Sequence, residues 1–327
     1  MPSSTSSSDA GRAAPGLRRV DRRRIALAVG AAVALVAWGT AARPPGDATG
    51  LPVEAFWARK LRAGPRFDGV LLGDSRVYRG LAPAEMAPAL DGARILNFGF
   101  SNAGLEARYL AAGRAKLDPA APRRWIVVGV TPLALTATAG ARNGYLERAA
   151  RAPSAAWPAA AAARLTAPLA PLTPAELRRM LGGGPPAVRY REHYGADGWA
   201  ASDKTPVDLG AAPAAYGAQL ARDPDFRLDP DVAADLMAAV GAWTGEGIAV
   251  FGLRPPTAPA MRAFEDGPLG FDEAATRAAF AAAGGRWIDV DPGAYATFDG
   301  SHLRADDARR LSRDVAAAVA ALIRPPR

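Results

Sequence analysis

From about residue 66 onward, short apolar runs alternate with longer alanine-rich stretches. The runs at 70–72, 94–98, 125–130, 248–253 and 286–290 have the length of buried strands. Four of these five end at or near a glycine, an aspartate or a proline. Between them, 104–116, 230–244, 272–283 and 305–323 read as helices. The alternation predicts βαβ units around a parallel sheet, and so an α/β fold. In such sheets binding residues gather beyond the carboxyl ends of the strands. The stretch 134–229 breaks the pattern. It is rich in alanine, proline and glycine, with GGGPP at 182–186 and a polar-aromatic patch, YREHYGADGW, at 190–199. A connection of this length is expected as an inserted cap overhanging the strand ends, with a plain solvated insertion as the alternative.

Ahead of the alternation lies a different pattern. Residues 25–42, IALAVGAAVALVAWGTAA, carry no charge. As a helix rising about 1.5 Å per residue they would extend roughly 27 Å, close to the hydrocarbon thickness of a bilayer. Arg12, Arg18, Arg19, Arg22, Arg23 and Arg24 precede the run, and only Arg43 follows closely. The positive-inside rule then places the N-terminus in the cytoplasm and the remainder outside. A cleaved signal peptide shares this charge order, but Pro44 and Pro45 stand just after the candidate cleavage site and disfavour processing. The expected organisation is a disordered basic tail at 1–24, a transmembrane anchor at 25–42, a linker at 43–65 and one domain at 66–327.

The arginine cluster also changes the meaning of the charge. The chain of 327 residues has a formal charge of +8, and the first 24 residues supply a net +4 of it against Asp9 and Asp21. The rest is dispersed, with no Lys/Arg block interleaved with aromatics, so a nucleic-acid surface is not expected. There is no cysteine, which excludes disulfides and thiolate chemistry. Only two histidines are present, His193 and His302, so any imidazole mechanism must use one of them.

Two short words then stand out. VLLGDSRVYRG, 70–80, runs an apolar strand into Gly-Asp-Ser, placing Ser75 just beyond the strand. FDGSHLRADD, 298–307, sets Asp299 three residues before His302 at the entry to the last helix. An aspartate so placed can accept the Nδ1–H of the histidine and leave Nε2 free as a base, the orienter-and-base half of a serine triad. The alternative is a surface loop in which Asp299 bonds only backbone amides.

With GDS at 73–75 and DGSH at 299–302, the chain resembles the SGNH (GDSL-type) hydrolase superfamily, over most of 66–323 with the insert unmatched. The resemblance implies a flavodoxin-like three-layer α/β/α sandwich. Ser75 would be the nucleophile, His302 the general base and Asp299 its orienter. The family's second block places a backbone amide in the oxyanion hole; here ILNFGFSNAG offers Asn102 or, in a shifted register, Gly104. The third block normally ends in Gly-x-Asn-Asp, whose asparagine is a further donor. Here it reads GVTP, so Thr131, with a hydroxyl donor of shorter reach, stands at that place as the candidate oxyanion donor, and Asn102, Asn143 or a cap residue could supply the bond it cannot make. Losing one such donor typically costs roughly 10²–10³ in rate. The layout is similar to membrane-anchored SGNH-like proteins that modify cell-surface polymers, such as those acting in teichoic-acid D-alanylation and exopolysaccharide O-acetylation.

Arg76, Arg79 and Arg254 could reach the strand-end crevice and contact an anionic or hydroxyl-rich substrate, with a plain surface-charge role as the alternative; Arg254 is the best placed, because Pro255 and Pro256 fix the chain just beyond its strand. His193, in the aromatic patch, is left outside the catalytic set. No Walker loop, dinucleotide fingerprint or clustered metal ligands appear, and a serine mechanism needs no cofactor. The expectation is an extracytoplasmic serine esterase or O-acyltransferase acting on a cell-surface or exported polysaccharide, beside a multi-span membrane acyl donor. The alternative is a membrane-tethered, non-catalytic binding or assembly protein.

Overall fold

The computed structural model describes residues 22–42, 48–151 and 189–323. The expected basic tail over residues 1–21, the start of the expected linker at 43–47 and the GGGPP segment at 182–186 lie outside the described residues.

Five strands form one sheet in which every neighbouring pair is parallel: β2 (Gly69–Leu72), β3 (Ile95–Asn97), β4 (Trp125–Gly129), β7 (Ala249–Leu253) and β8 (Arg286–Trp287). Their spatial order is β3-β2-β4-β7-β8. The fold is therefore α/β with a parallel sheet. The central strands β2, β4 and β7 are apolar throughout because both faces are covered, whereas β3 ends in Asn97 and β8 opens on the exposed Arg286. One face, with Val70, Leu72, Ile126 and Val128, packs on the helices Ala107–Arg114 and Pro230–Gly245 through Tyr109, Leu110, Leu236 and Val240. The other, with Leu71, Trp125, Val127 and Phe251, packs on the helix Ala305–Ile323 through Leu311, Val315 and Val319.

The chain leaves β2 for β3 on one side and then returns to the other side for β4. Strand order reverses between β2 and β4, and a crevice opens at that point beyond the carboxyl ends. Ser75 follows β2 directly, at this reversal.

Where the elements differ from the sequence pattern, the cause is local. The last strand is two residues long rather than the five expected at 286–290, because Asp291 caps a short turn at Pro292–Ala294. The described part of 43–65 is no linker. β1 (Ala48–Gly50) pairs in parallel with β5 (Arg189–Tyr194), and the helix Val53–Arg62 buries Phe56, Trp57 and Lys60. Lys60 lies beneath four aromatic rings, those of Phe56, Trp57, Tyr78 and Phe100, and donates to the Gly99 carbonyl at 2.6 Å. Burial lowers its pKa well below that of an ordinary lysine, against the pull of Asp197. Arg59, Lys60 and Arg62 read as surface positions, which hid this packing in the sequence.

The insert is ordered where it is described. β5 pairs antiparallel with β6 (Ala200–Thr205), completing a three-stranded sheet with β1, and a helix spans Ala211–Arg222. The helix Arg22–Ala42 coincides with the apolar N-terminal run, and Leu27, Val29 and Val33 stand exposed on it. Its described side chains are Arg23, Arg24 and residues 26–34. Among the described residues, no helix is long and apolar enough to cross a membrane.

Gly73 makes the turn between β2 and the helix Ser75–Gly80, with φ at 148°. A Cβ there would also meet Val77 Cγ2 at 2.4 Å. We predict that Gly73→Ala lowers stability by about 1–3 kcal/mol, read as a fall in the midpoint of chemical unfolding. An unchanged midpoint would contradict the backbone described for this turn.

Candidate active site

The nucleophile turn is built by a strand that runs out of pairing partners and a helix that starts at once. Asp74 is the N-cap of the helix Ser75–Gly80, and its Oδ1 accepts the Arg76 N–H at 2.9 Å. The buried Tyr109 hydroxyl accepts the Gly73 N–H at 2.9 Å. The hydroxyl oxygen lies 3.0 and 2.9 Å from the Gly73 and Phe98 carbonyl oxygens, either of which can accept its single proton. Asn97, at the end of β3, donates to the carbonyls of Val77 and Leu81 and so ties down the end of that short helix. The turn is thereby held from three sides.

Onto this turn comes the loop that precedes the last helix. His302 Nε2 lies 2.8 Å from Ser75 Oγ, and His302 Nδ1 lies 2.8 Å from Asp299 Oδ2. Asp299 Oδ1 accepts the backbone N–H groups of Ser301 and His302 at 2.9 and 2.8 Å. Burial works against the Asp299 carboxylate, but the hydrogen bonds and charge of His302 and the two amides lower its pKa to about 2. An ionised Asp299 fixes the imidazole with its proton on Nδ1, leaving the Nε2 lone pair toward Ser75. Burial lowers the pKa of His302 below the ordinary 6.5. The Asp299 hydrogen bond opposes that, and the positive charges of Arg79 and Arg76 reinforce it. At neutral pH the histidine is therefore the free base.

The loop and the turn are clamped by Arg76, one of the three arginines expected within reach of the strand-end crevice. Arg76 is buried, its Nε donates to Ser301 Oγ at 3.0 Å, and its guanidinium contacts the fully buried Glu265. Burial alone would favour the neutral form, but Glu265 and Asp74 raise its pKa above the usual arginine value. The signal was present as the pair Arg76 and Ser301, each one residue from a catalytic candidate, but their separation in the chain concealed it.

The other expected site residues divide. Asn102 lines a cavity of about 160 Å³ together with Ser75, Asp74 and Ala103. It has a left-handed backbone, φ 54°, and its N–H and the Ser75 N–H have no acceptor among the described residues. These two amides are the available oxyanion donors. Gly104 is not on the cavity: its carbonyl accepts from Asn143 Nδ2 at 2.9 Å, and a Cβ there would meet the Ala139 carbonyl at 2.6 Å. That bond also commits the Asn143 amide. Thr131 is a further correction. Its hydroxyl donates to Asp74 Oδ2 at 2.6 Å, so it braces the nucleophile turn, with no second proton for an oxyanion. Arg254 lies outside the crevice. Glu265, Asp266 and Glu273 surround its guanidinium at 2.8, 2.7 and 3.1 Å, because two helices bring their carboxylates to the end of β7. Arg79 reaches Glu192 and Tyr78 rather than the cavity. His193 stands exposed on β5, 3.0 Å from Thr49 Oγ1.

The insert supplies the rest of the cavity wall through Thr136, Arg142, Tyr216 and Phe226. Among the described residues, no three His, Asp or Glu side chains group as a metal site. No protein-family model matches the chain, and no curated protein matches its sequence.

The pKa shifts fix the sign of the pH dependence. The base form of His302 persists below pH 6.5, so the acid limb of any Ser75-dependent activity should have its midpoint under 6.5. Stability should follow the same groups. The unfolded chain protonates His302 first, so this contribution is constant above pH 6.5 and falls as pH drops below it. The contribution of Asp299 is complete above about 3.8 and is lost as pH falls toward 2. A pH–rate profile with its midpoint above 6.5 would contradict the environment described for His302.

Proposed function

We infer that this chain is a serine acyl-ester hydrolase or O-acyltransferase working through an acyl-serine intermediate. The observation that carries the reading is the unbroken chain Ser75 Oγ–His302 Nε2, His302 Nδ1–Asp299 Oδ2, at 2.8 Å in both links. A serine whose hydroxyl meets a neutral, carboxylate-oriented imidazole at the mouth of a cavity is arranged for nucleophilic attack.

Ser75 Oγ adds to the ester carbonyl carbon as His302 Nε2 takes its proton. The negative charge that forms on the carbonyl oxygen is met by the Ser75 and Asn102 amides. Collapse expels the alcohol, which takes the proton from His302, and the acyl group remains on Ser75. Water or a sugar hydroxyl, deprotonated by the same imidazole, then accepts the acyl group. No step calls for a cofactor.

The order of the parallel sheet, 2-1-3-4-5 in its own strand numbering, supports a flavodoxin-like three-layer α/β/α sandwich of the SGNH type. The uncharged run 25–42 behind six arginines supports a single-pass anchor, with the catalytic domain on the extracytoplasmic side. That placement favours a cell-surface or exported polymer as substrate, with a membrane-embedded acyl donor as partner. The commitment of Thr131 to Asp74 favours a second reading, a tethered binding or assembly protein that retains the fold without the chemistry, since a usual oxyanion donor is missing.

A fluorophosphonate probe separates the two. The purified full-length chain should be labelled, with no label in Ser75→Ala and a rate reduced by roughly 10³-fold or more in His302→Ala. Folded but unlabelled wild-type protein would favour the binding reading.

A further inference from the structure

With Thr131 spent on Asp74, the cavity needs another side-chain donor if its chemistry is to run at an ordinary rate. The geometry points to the Tyr216 hydroxyl as a catalytic donor to the oxyanion formed when Ser75 attacks, a role in this site held by no residue of the main sheet. The assignment rests on the serine reading above.

Tyr216 belongs to the helix Ala211–Arg222, and that helix is docked on the catalytic loop itself. The Ala212 N–H donates to the Asp299 carbonyl at 3.0 Å, and the Asp208 N–H just before the helix donates to the Phe298 carbonyl at 2.9 Å. Gly300 is packed so closely there that a Cβ would meet the Leu209 carbonyl oxygen at 2.3 Å. One helical turn beyond Ala212, Tyr216 stands on the same side of the helix. It lines the cavity shared by Ser75, Asp74 and Asn102.

The ring is held and the hydroxyl is not. Tyr216 stacks on Phe226 with centroids 6.1 Å apart and planes 9° from parallel, while its hydroxyl has no hydrogen-bond partner among the described residues. A phenol stacked in the wall of the cavity that Ser75 also lines, with its proton unspent, suits preorganised stabilisation. Its proton stays in place: burial pushes the phenol pKa up to about 12, with Arg76 opposing and Asp74, Asp299 and Glu265 reinforcing the shift. Other polar groups on the cavity wall are less suited, and the Arg142 side chain stands exposed to solvent. The hydroxyls of Thr136 and Thr138 donate to the Leu133 carbonyl and to Asp223. Gln219 lies a further three residues along the helix from its anchor on Asp299.

During attack, the Ser75 Oγ–carbon bond forms and the carbonyl π pair moves onto oxygen. The Ser75 proton passes to His302 Nε2. Tyr216 donates a hydrogen bond to the new oxyanion and keeps its proton throughout.

The test is Tyr216→Phe in the full-length chain, with p-nitrophenyl acetate as substrate and Ser75→Ala as reference. The stack on Phe226 is preserved, so the melting temperature should not change. The expected result is a fall in kcat of about 10²-fold with KM within about twofold, since the bond exists only in the transition state. A kcat unchanged within threefold, a loss confined to KM, or a loss matched by a lower melting temperature would overturn the assignment and leave the serine reading intact. Wild-type turnover no faster than that of Ser75→Ala would remove both.

Discussion

The site depends on one buried cation. Arg76 follows Ser75 directly, yet its Nε bonds Ser301 in a loop 225 residues away, and its guanidinium sits against Glu265. A guanidinium cannot be left without a counter-charge in the interior, where an unpaired ion costs several kcal/mol. The turn after β2, the helix Pro259–Asp266 that carries Glu265, and the Asp299–His302 loop are therefore held in one arrangement. The hydrogen-bonded chain from Ser75 through His302 to Asp299 forms only while that arrangement holds. Glu265 is shared with Arg254, so the ion pairs extend from the catalytic loop to the end of β7.

Around this clamp the fold separates rigid groups from available ones. Asp74, Thr131, Tyr109 and Asn97 have their hydrogen bonds taken up in bracing the nucleophile turn. Asn102 carries a positive φ without being glycine, a conformation that asparagine tolerates better than most residues. Among the described residues, the Ser75 and Asn102 amides and the Tyr216 hydroxyl are left without hydrogen-bond partners, and all three belong to residues that line the cavity. At about 160 Å³ the cavity is large enough for a short acyl group and too small for a polymer, which would have to approach from outside.

Much of this was legible in the sequence, and the remainder was not for definite reasons. The alternation of apolar runs located all five strands of the main sheet, because strands covered on both faces must be continuously apolar. Ser75, Asp299 and His302 could be picked out because two histidines in the whole chain leave little choice of base, and the Asp-x-x-His spacing is local. The roles of Thr131, Gly104 and Arg254 were not legible. Each is decided by a partner brought from elsewhere: Asp74 for the first, the Ala139 and Asn143 segment for the second, and three carboxylates on neighbouring helices for the third. Tyr216 sits in a stretch whose alanine and proline content masks its helix, so nothing in the local pattern joins it to Ser75. The helix at 53–62 escaped for a similar reason, since its buried lysine reads as a surface residue until four aromatic rings enclose it.

The central claim is that Ser75 carries the acyl group between donor and acceptor. Mass spectrometry of acid-quenched reactions with p-nitrophenyl acetate tests it most directly, on the tryptic peptide spanning residues 67–76. The account predicts an acetylated form of that peptide in the wild-type chain. It should persist longer in His302→Ala, if it forms there, and be absent from Ser75→Ala. Turnover that survives in Ser75→Ala, or an acetyl group found only on other residues, would contradict it.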